Sequence, residues 1–214
     1  MKLLAERNKI VEYGKKMVTS GLTAGKGGNL SIFNRDESLV AVSPSGMDYF
    51  ETRCEDIVLL LPDGEIAEGS RKPTSEVDLH LSIYRTRPDV GAVVHTHPVF
   101  ATTLATLGWE IPPISYLIAG IGSKIPLACY ETYGTPELAK SVTEYIRDFD
   151  AVLMANHGLV TVGENLESAF EKSETVEFMA QVYWRAKCVG NPMILPNDEI
   201  AKVREKLSGY GQKN

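Results

Sequence analysis

Three of the four histidines stand where apolar stretches of the chain end. His95 and His97 form a His-Thr-His sequence directly after Val90–Val94, and His157 follows the apolar stretch Ala151–Ala155. In a strand, residues i and i+2 point to the same face, so His95 and His97 present both imidazoles to one point. Neutral imidazole is a preferred ligand of zinc and related divalent cations. The pattern predicts a metal site at two strand ends, although each histidine alone also fits a solvated strand end.

The segment Lys72–Glu76 supplies the best candidate for a further ligand or a base. Glu76 follows Thr74 and Ser75 at the predicted start of a helix. A Thr-Ser-Glu sequence there also fits ordinary helix capping, and both interpretations stay open. The same helix start offers free backbone N–H groups beside two hydroxyls, a combination suited to phosphate. His80, in the middle of this helix, is expected to have a structural role.

Two glycine-containing turns are weaker candidates for anion binding. In the loop Gly25–Asn29, glycines allow backbone N–H groups to converge, and Lys26 adds a positive charge. The loop matches neither the Walker A sequence nor the dinucleotide-binding GxGxxG pattern. The second turn, Ser43–Gly46, taken alone predicts only a change of chain direction.

The hydropathy pattern predicts the elements that must position these residues. The predicted helices are Leu3–Ser20, Thr74–Arg87, Phe100–Leu107, Pro136–Arg147, Glu167–Val189 and Asn197–Leu207. The predicted strands are Asn29–Phe33, Leu39–Ser43, Ile57–Leu61, Glu65–Glu68, Val90–His95, Ala151–Ala155 and Leu159–Val162. Interspersed strands and helices with short hairpin connections predict an α/β fold, a three-layer α/β/α arrangement around a mixed, largely antiparallel sheet.

Composition limits the class of protein. With 214 residues, 43% hydrophobic and 23% charged, the chain has the profile of a single globular domain spanning residues 1–214. A net charge of −6 disfavours nucleic acid and anionic membranes as partners. No apolar run approaches the ~20 residues of a bilayer span, and the charged N-terminal helix does not fit a signal peptide. Three cysteines without a CxxC pair predict no disulfide framework and a cytoplasmic location.

Five of these segments together resemble the class II (zinc-dependent) aldolase family. They are Gly27–Ser31, Ser43–Gly46, Lys72–Glu76, His95–His97 and Asn156–Gly158, and they occur in the order of that family. The resemblance runs over essentially the whole chain. It implies one Zn²⁺ per subunit, held by His95, His97 and His157 and by Glu76, which doubles as the catalytic acid/base.

The resemblance also implies a substrate site shared between subunits of a homotetramer. The residues implied for the substrate phosphate are Gly28, Asn29, Ser45, Gly46, Thr74 and Ser75. Tyr116 is implied as a second catalytic residue, which exchanges a proton with the aldehyde oxygen from a neighbouring subunit. Tyr133 and Tyr210 are assigned to the substrate pocket, also from a neighbouring subunit. Lys26 and Tyr133 depart from the residues usual in the family, a small hydroxyl residue and phenylalanine respectively.

The implied reaction is the reversible cleavage of L-fuculose 1-phosphate to dihydroxyacetone phosphate and L-lactaldehyde. Two alternatives use the same apparatus, a 5-deoxypentulose-1-phosphate aldolase and a methylthioribulose-1-phosphate dehydratase. L-ribulose-5-phosphate 4-epimerase is disfavoured, because that branch usually has Asp at the Glu76 position and His-Ala-Asp-Tyr near Tyr116, where this chain has Leu117–Ala119. A noncatalytic, zinc-stabilised assembly module is the remaining alternative.

Overall fold

The computed structural model describes residues 1–207 and residue 209, and its centre is one eight-stranded sheet. The strands are β1 (Asn29–Asn34), β2 (Leu39–Val42), β3 (Val58–Leu60), β4 (Ile66–Glu68), β5 (Ala92–Thr96), β6 (Leu127–Ala128), β7 (Ala151–Met154) and β8 (Gly158–Gly163). Their spatial order is β4-β3-β2-β1-β5-β8-β7-β6. All neighbouring pairs are antiparallel except β6 and β7, which are parallel. The predicted mixed, largely antiparallel sheet is confirmed.

Helices cover both faces of this sheet. They are α1 (Leu4–Thr19), α2 (Val77–Thr86), α3 (Val99–Thr106), α4 (Pro136–Ile146), α5 (Leu166–Val189) and α6 (Asn197–Leu207). One face packs on α2 and α4, and the other packs on α1, α3 and α5. The three-layer prediction is therefore confirmed. None of the helices within the described residues combines the length and apolar character that a bilayer span requires.

The central strands are buried on both faces, which explains their nearly continuous apolar runs. In β5, Val93 packs toward α2 and α4, whereas Ala92 and Val94 belong to the cluster beneath α1. In β7, Val152 and Leu153 divide in the same way between the two layers. Strands buried on both faces lack polar alternation. A polar residue within such a strand, as in β5, is therefore conspicuous.

The helix predicted to begin near Thr74 begins instead at Val77. The N–H of Thr74 donates to the carbonyl oxygen of Ser43 at 3.1 Å, and Pro73 forms a β-bridge with Pro44. This pairing keeps the chain extended up to the helix and sets it beside the Ser43–Gly46 turn. Three short elements were not predicted, the 3₁₀ helices Cys54–Asp56 and Tyr116–Gly120 and the two-residue strand β6. None of them contains enough residues for a hydrophobic period.

Candidate active site

Strand register and a tight turn bring the three predicted histidine ligands together. His95 lies in β5, His97 follows the end of that strand, and His157 lies in the turn between β7 and β8. One ring nitrogen from each histidine can be chosen so that the three nitrogens lie within 4.8 Å of one another. Gly158 makes this approach possible, since a Cβ there would lie 2.4 Å from the carbonyl oxygen of Thr96. The three histidines thus form one cluster where β5 ends and the neighbouring strand β8 begins.

Glu76 lies against this cluster and does not cap its helix. It occupies the N-cap position of α2, yet its side chain makes no capping hydrogen bond. Its Oε2 lies 3.2 Å from Nε2 of His95, and its Oε1 lies 3.6 Å from Nε2 of His157. Oε1 is buried and has no hydrogen-bond partner. The capping interpretation of Glu76 therefore gives way to the ligand or base interpretation.

The donor set fits a divalent cation. Nδ1 of His95 donates to the carbonyl oxygen of Leu159 at 3.0 Å, so Nε2 is left to face Nε2 of His97 at 3.0 Å. Around a tetrahedral zinc ion with bonds near 2.0–2.1 Å, neighbouring ligand atoms lie about 3.3 Å apart. The nitrogen–nitrogen and nitrogen–oxygen separations of 3.0 and 3.2 Å are of this size. A cation at this point would also give the unpartnered Oε1 of Glu76 a partner.

Electrostatics favour the protonation states that a cation needs in His97, His157 and Glu76, but not in His95. Burial alone would lower the pKa of His95, but the neighbouring Glu76 carboxylate outweighs burial and raises it. Burial lowers the pKa of His97 to about 3 and that of His157 to about 4. Burial alone would raise the pKa of Glu76, but the neighbouring His95 and the hydrogen bond from Asn29 outweigh burial and hold it below its ordinary value. At neutral pH two imidazoles are thus neutral and the carboxyl group is ionised. These are the ligand forms that bind zinc.

A cavity of about 440 Å³ opens beside the cluster and is lined by all six residues assigned to the phosphate. This volume lies within the range of small-molecule sites. The six residues are Gly28, Asn29, Ser45, Gly46, Thr74 and Ser75, and Glu76, His97 and His157 complete the same wall. His95 is fully buried behind them. The cavity therefore places the predicted anion-binding residues next to the predicted metal ligands.

Two of the three assigned tyrosines are described by the structure, and they lie in different places. Tyr133 lines the cavity of its own chain, which corrects its assignment to a neighbouring subunit. Its loop folds back until a Cβ at Gly134 would lie 2.8 Å from the carbonyl oxygen of Ser75. Tyr116 lies away from the cavity, 57% exposed on its 3₁₀ helix. Tyr210 lies outside the described residues.

Sequence reasoning assigned no site role to several further cavity residues, among them Tyr130, Glu131 and Asn156. Lys26, whose charge the sequence suggested for anion binding, lines the same cavity. Asn156 has a positive φ of 53°, which the β7–β8 turn requires immediately before His157. Glu131 carries no motif that would have identified it, because it reaches the cavity only through the fold of its loop. Charge at the cavity mouth thus comes from Lys26 and Glu131 together.

Gly28→Ala is expected to raise KM for a phosphorylated substrate at least tenfold and to cost ~1–3 kcal/mol of stability. Gly28 has φ of +72°, and a Cβ there would lie 2.6 Å from the carbonyl oxygen of His95. Gly21→Ala is the matched control, since Gly21 has φ of +73° and nothing within 4 Å of its added Cβ. Steady-state kinetics and thermal unfolding distinguish the two variants. Equal KM values for both would contradict a role for the close packing of Gly28.

The fold and the site define a class II aldolase, and comparison with known proteins agrees. Residues 8–184 match the family described as Class II Aldolase and Adducin N-terminal domain. The chain belongs to this family, and the prediction of an enzyme of this class is confirmed.

Named relatives span the full length of the chain. A 5-deoxy-D-ribulose 1-phosphate aldolase from Bacillus thuringiensis serovar kurstaki is 53% identical, with 100% of both chains covered. An L-fuculose phosphate aldolase from Escherichia coli K12 is 37% identical, with 96% of this chain and 97% of that protein covered. A solved structure of an L-fuculose 1-phosphate aldolase superposes with a TM-score of 0.93 at 42% identity, covering 95% and 96% of the two chains.

Proposed function

We propose that this protein cleaves 5-deoxy-D-ribulose 1-phosphate reversibly to dihydroxyacetone phosphate and acetaldehyde. The observation that carries the proposal is the full-length similarity, at 53% identity, to an aldolase named for that substrate. The similarity to an L-fuculose phosphate aldolase is lower, at 37%. The comparisons therefore favour the 5-deoxypentulose alternative over the L-fuculose 1-phosphate reaction expected from the sequence.

The cavity supports binding of the phosphate away from the bond that breaks. Gly28 and Gly46 have φ values of 72° and 67°, a conformation in which backbone N–H groups turn toward a common centre. The hydroxyls of Thr74 and Ser75 lie just before the N-terminus of α2, where the helix dipole favours negative charge. Lys26 adds a positive charge at the rim. A sugar phosphate bound there extends its carbon chain toward Glu76.

We assign the resident cation as Zn²⁺ held by His95, His97 and His157, with Glu76 beside it. Such a cation stabilises the negative charge that develops on the substrate's carbonyl oxygen as the carbon–carbon bond breaks. The hydrogen bond from His95 to Leu159 fixes which ring nitrogen faces the cation. The chain's own contribution is a preoriented set of buried and half-buried ligands. His95 is wholly buried, and Glu76 is 5% exposed.

Glu76 is the proposed acid/base. In the cleavage direction, the bond between C3 and C4 breaks, the C4 hydroxyl loses its proton as acetaldehyde forms, and a proton is delivered to C3. Oε1 of Glu76, which accepts no hydrogen bond from the described residues, is the oxygen proposed to carry that proton. The carboxyl group lies between Nε2 of His157, 3.6 Å from Oε1, and the amide of Asn29, which donates to Oε2. In the synthetic direction the same oxygen removes the proton.

Tyr116 and Tyr210 are proposed to complete the site from a neighbouring copy of this chain. Tyr116 is largely exposed and does not line the cavity of its own chain, so a role at the substrate requires a second subunit. We carry over the homotetramer and the cytoplasmic location as parts of the same proposal. Tyr116 is then the group that exchanges a proton with the aldehyde oxygen.

A substrate panel tests the proposal. We expect kcat/KM for 5-deoxy-D-ribulose 1-phosphate to exceed that for L-fuculose 1-phosphate by about tenfold or more, since small steric differences are worth 10–200-fold. Methylthioribulose 1-phosphate and L-ribulose 5-phosphate belong in the same panel, with products identified. A preference for L-fuculose 1-phosphate, loss of water without carbon–carbon cleavage, or epimerisation would each overturn the assignment.

A further inference from the structure

A line of buried polar side chains runs behind Glu76, between β1 and α2. Nδ2 of Asn29 donates to Oε2 of Glu76 at 2.8 Å, and Oδ1 of Asn29 lies 2.5 Å from Nε2 of His80. Nδ1 of His80 lies 2.6 Å from Oγ of Ser31, which lies 2.7 Å from the hydroxyl of Tyr84. All five side chains are at least 95% buried. The line therefore runs from the acid/base at the cavity wall into the core.

The secondary structure explains why these side chains meet. Asn29 and Ser31 are two residues apart in β1 and point to the same face of the sheet. His80 and Tyr84 are four residues apart in α2 and lie on one side of that helix. Because α2 packs on the face that Asn29 and Ser31 share, the two pairs interleave.

The chemistry of each group fixes the direction of every hydrogen bond. An ionised carboxylate only accepts, so the amide nitrogen of Asn29 faces Glu76 and its oxygen faces His80. That oxygen can only accept, so His80 carries its proton on Nε2 and leaves a lone pair on Nδ1. Ser31 then donates to Nδ1 and accepts from the hydroxyl of Tyr84. One arrangement of protons satisfies the whole line, and each link depends on the one before it.

We propose that His80 is a positioning residue for the acid/base. By holding the amide of Asn29 in one orientation, it keeps Oε2 of Glu76 occupied and leaves Oε1, which accepts no hydrogen bond from the described residues, as the oxygen that faces His157. The inference rests on the proposed role of Glu76. The sequence predicts only a structural role for His80, whereas here His80 acts on Glu76 through Asn29.

A pair of buried hydroxyl groups does not by itself indicate a positioning role. Thr161 and Ser173 form one on the opposite side of the sheet, with Oγ atoms 2.7 Å apart and both residues fully buried. That pair ends on the carbonyl oxygen of Ala169 and reaches no residue of the cavity wall. It shows what a purely structural hydroxyl pair looks like in this fold, and it supplies a control.

The tautomer of His80 tests the proposal in the wild-type protein. With histidine ¹⁵N-labelled in the zinc-loaded enzyme, we expect one neutral ring with the proton on Nε2 throughout pH 6–8. The spectrum of Asn29→Leu identifies the signal and is expected to lose this fixed tautomer. A proton on Nδ1, or exchange between tautomers in the wild type, would overturn the proposal. This measurement needs no substrate.

Kinetics of His80 variants supply the second test. A glutamine amide reaches about as far as Nε2 and keeps a donor for Asn29, so His80→Gln is expected to retain kcat within about threefold. His80→Leu removes the donor and is expected to lower kcat or zinc affinity by 10–100-fold, with KM changed less than kcat. Equal kcat, KM and zinc affinity in the leucine variant and the wild type would overturn the proposal, as would failure of glutamine to rescue.

A matched serine pair covers the case in which His80→Leu does not fold. Ser31→Ala removes the donor to Nδ1, and Ser173→Ala removes an equally buried hydroxyl that has no link to Glu76. We expect kcat to fall about 3–10-fold in the first variant and to stay unchanged in the second. Equal effects on kcat in both variants would overturn the proposal, because they would show that the buried hydroxyls contribute only to packing. A wild type without activity on any sugar phosphate would instead overturn the proposed function and leave the tautomer result to stand.

Discussion

Glu76→Gln is expected to lower turnover by about 10²–10⁴, the usual contribution of a positioned acid or base. The amide has nearly the shape of the carboxylate and still accepts the hydrogen bond that Asn29 donates. It cannot give a proton to the substrate carbon or remove one. Because the three histidines remain, bound metal should largely be retained. Metal analysis and kcat measured on the same preparation separate these two properties.

A second, half-buried carboxylate supplies the control. Glu177 accepts hydrogen bonds from the backbone N–H groups of Phe100 and Ala101 at 2.9 and 2.8 Å, at the start of α3. Glu177→Gln removes a half-buried negative charge without touching the cavity wall. It is expected to reduce thermal stability and to leave kcat near the wild-type value. A Glu76→Gln variant as active as Glu177→Gln would contradict the acid/base assignment.

Removal of the metal is expected to lower activity at least 10³-fold while the fold persists. Without the cation, the negative charge that forms on the carbonyl oxygen would lose its main stabilisation. The three hydrophobic clusters contain 19, 15 and 14 fully buried residues and pack without help from the site. Chelation followed by assay, far- and near-UV circular dichroism and readdition of zinc measures both properties. Activity should return with the zinc.

The alternative outcome has a clear signature. If the histidine cluster were a structural zinc site, chelation would unfold or dissociate the protein, because metal binding would then be part of the folding free energy. Activity that survives complete chelation would contradict the metal assignment itself. A folded, inactive and rescuable apoprotein is the only result that the present account predicts.

The sequence predicts the centre of this fold better than its edges. β5, β7 and β8 are apolar runs buried on both faces, and such runs predict strands whatever surrounds them. β6 has two residues, Leu127 and Ala128, and pairs in parallel with β7. No periodicity can be read from two residues. The sequence predicts the start of α2 three residues too early, because the polar residues Thr74 and Ser75 resemble a helix cap. In the structure, the hydrogen bond between Thr74 and Ser43 keeps this segment extended.

Some contacts of the site can be predicted from local sequence spacing, whereas others depend on residues far apart in the chain. His95 and His97 lie two residues apart on a strand, so local geometry alone places their rings together. The contact between Asn29 and Glu76 depends on the register of β1 with β5 and on the docking of α2, neither of which local spacing contains. The positioning role proposed for His80 depends on the same contacts, so local spacing does not indicate it. The substrate's distal end is least predictable, because Glu131 and Tyr133 reach the cavity on an irregular loop.

Product identification with zinc-loaded protein and 5-deoxy-D-ribulose 1-phosphate tests the central claim most directly. Dihydroxyacetone phosphate is followed through a coupled NADH-consuming reductase, acetaldehyde is trapped and identified, and a chelator-treated sample runs in parallel. The account predicts equal amounts of the two products and their loss on chelation. Protein that holds zinc and releases neither product would contradict it.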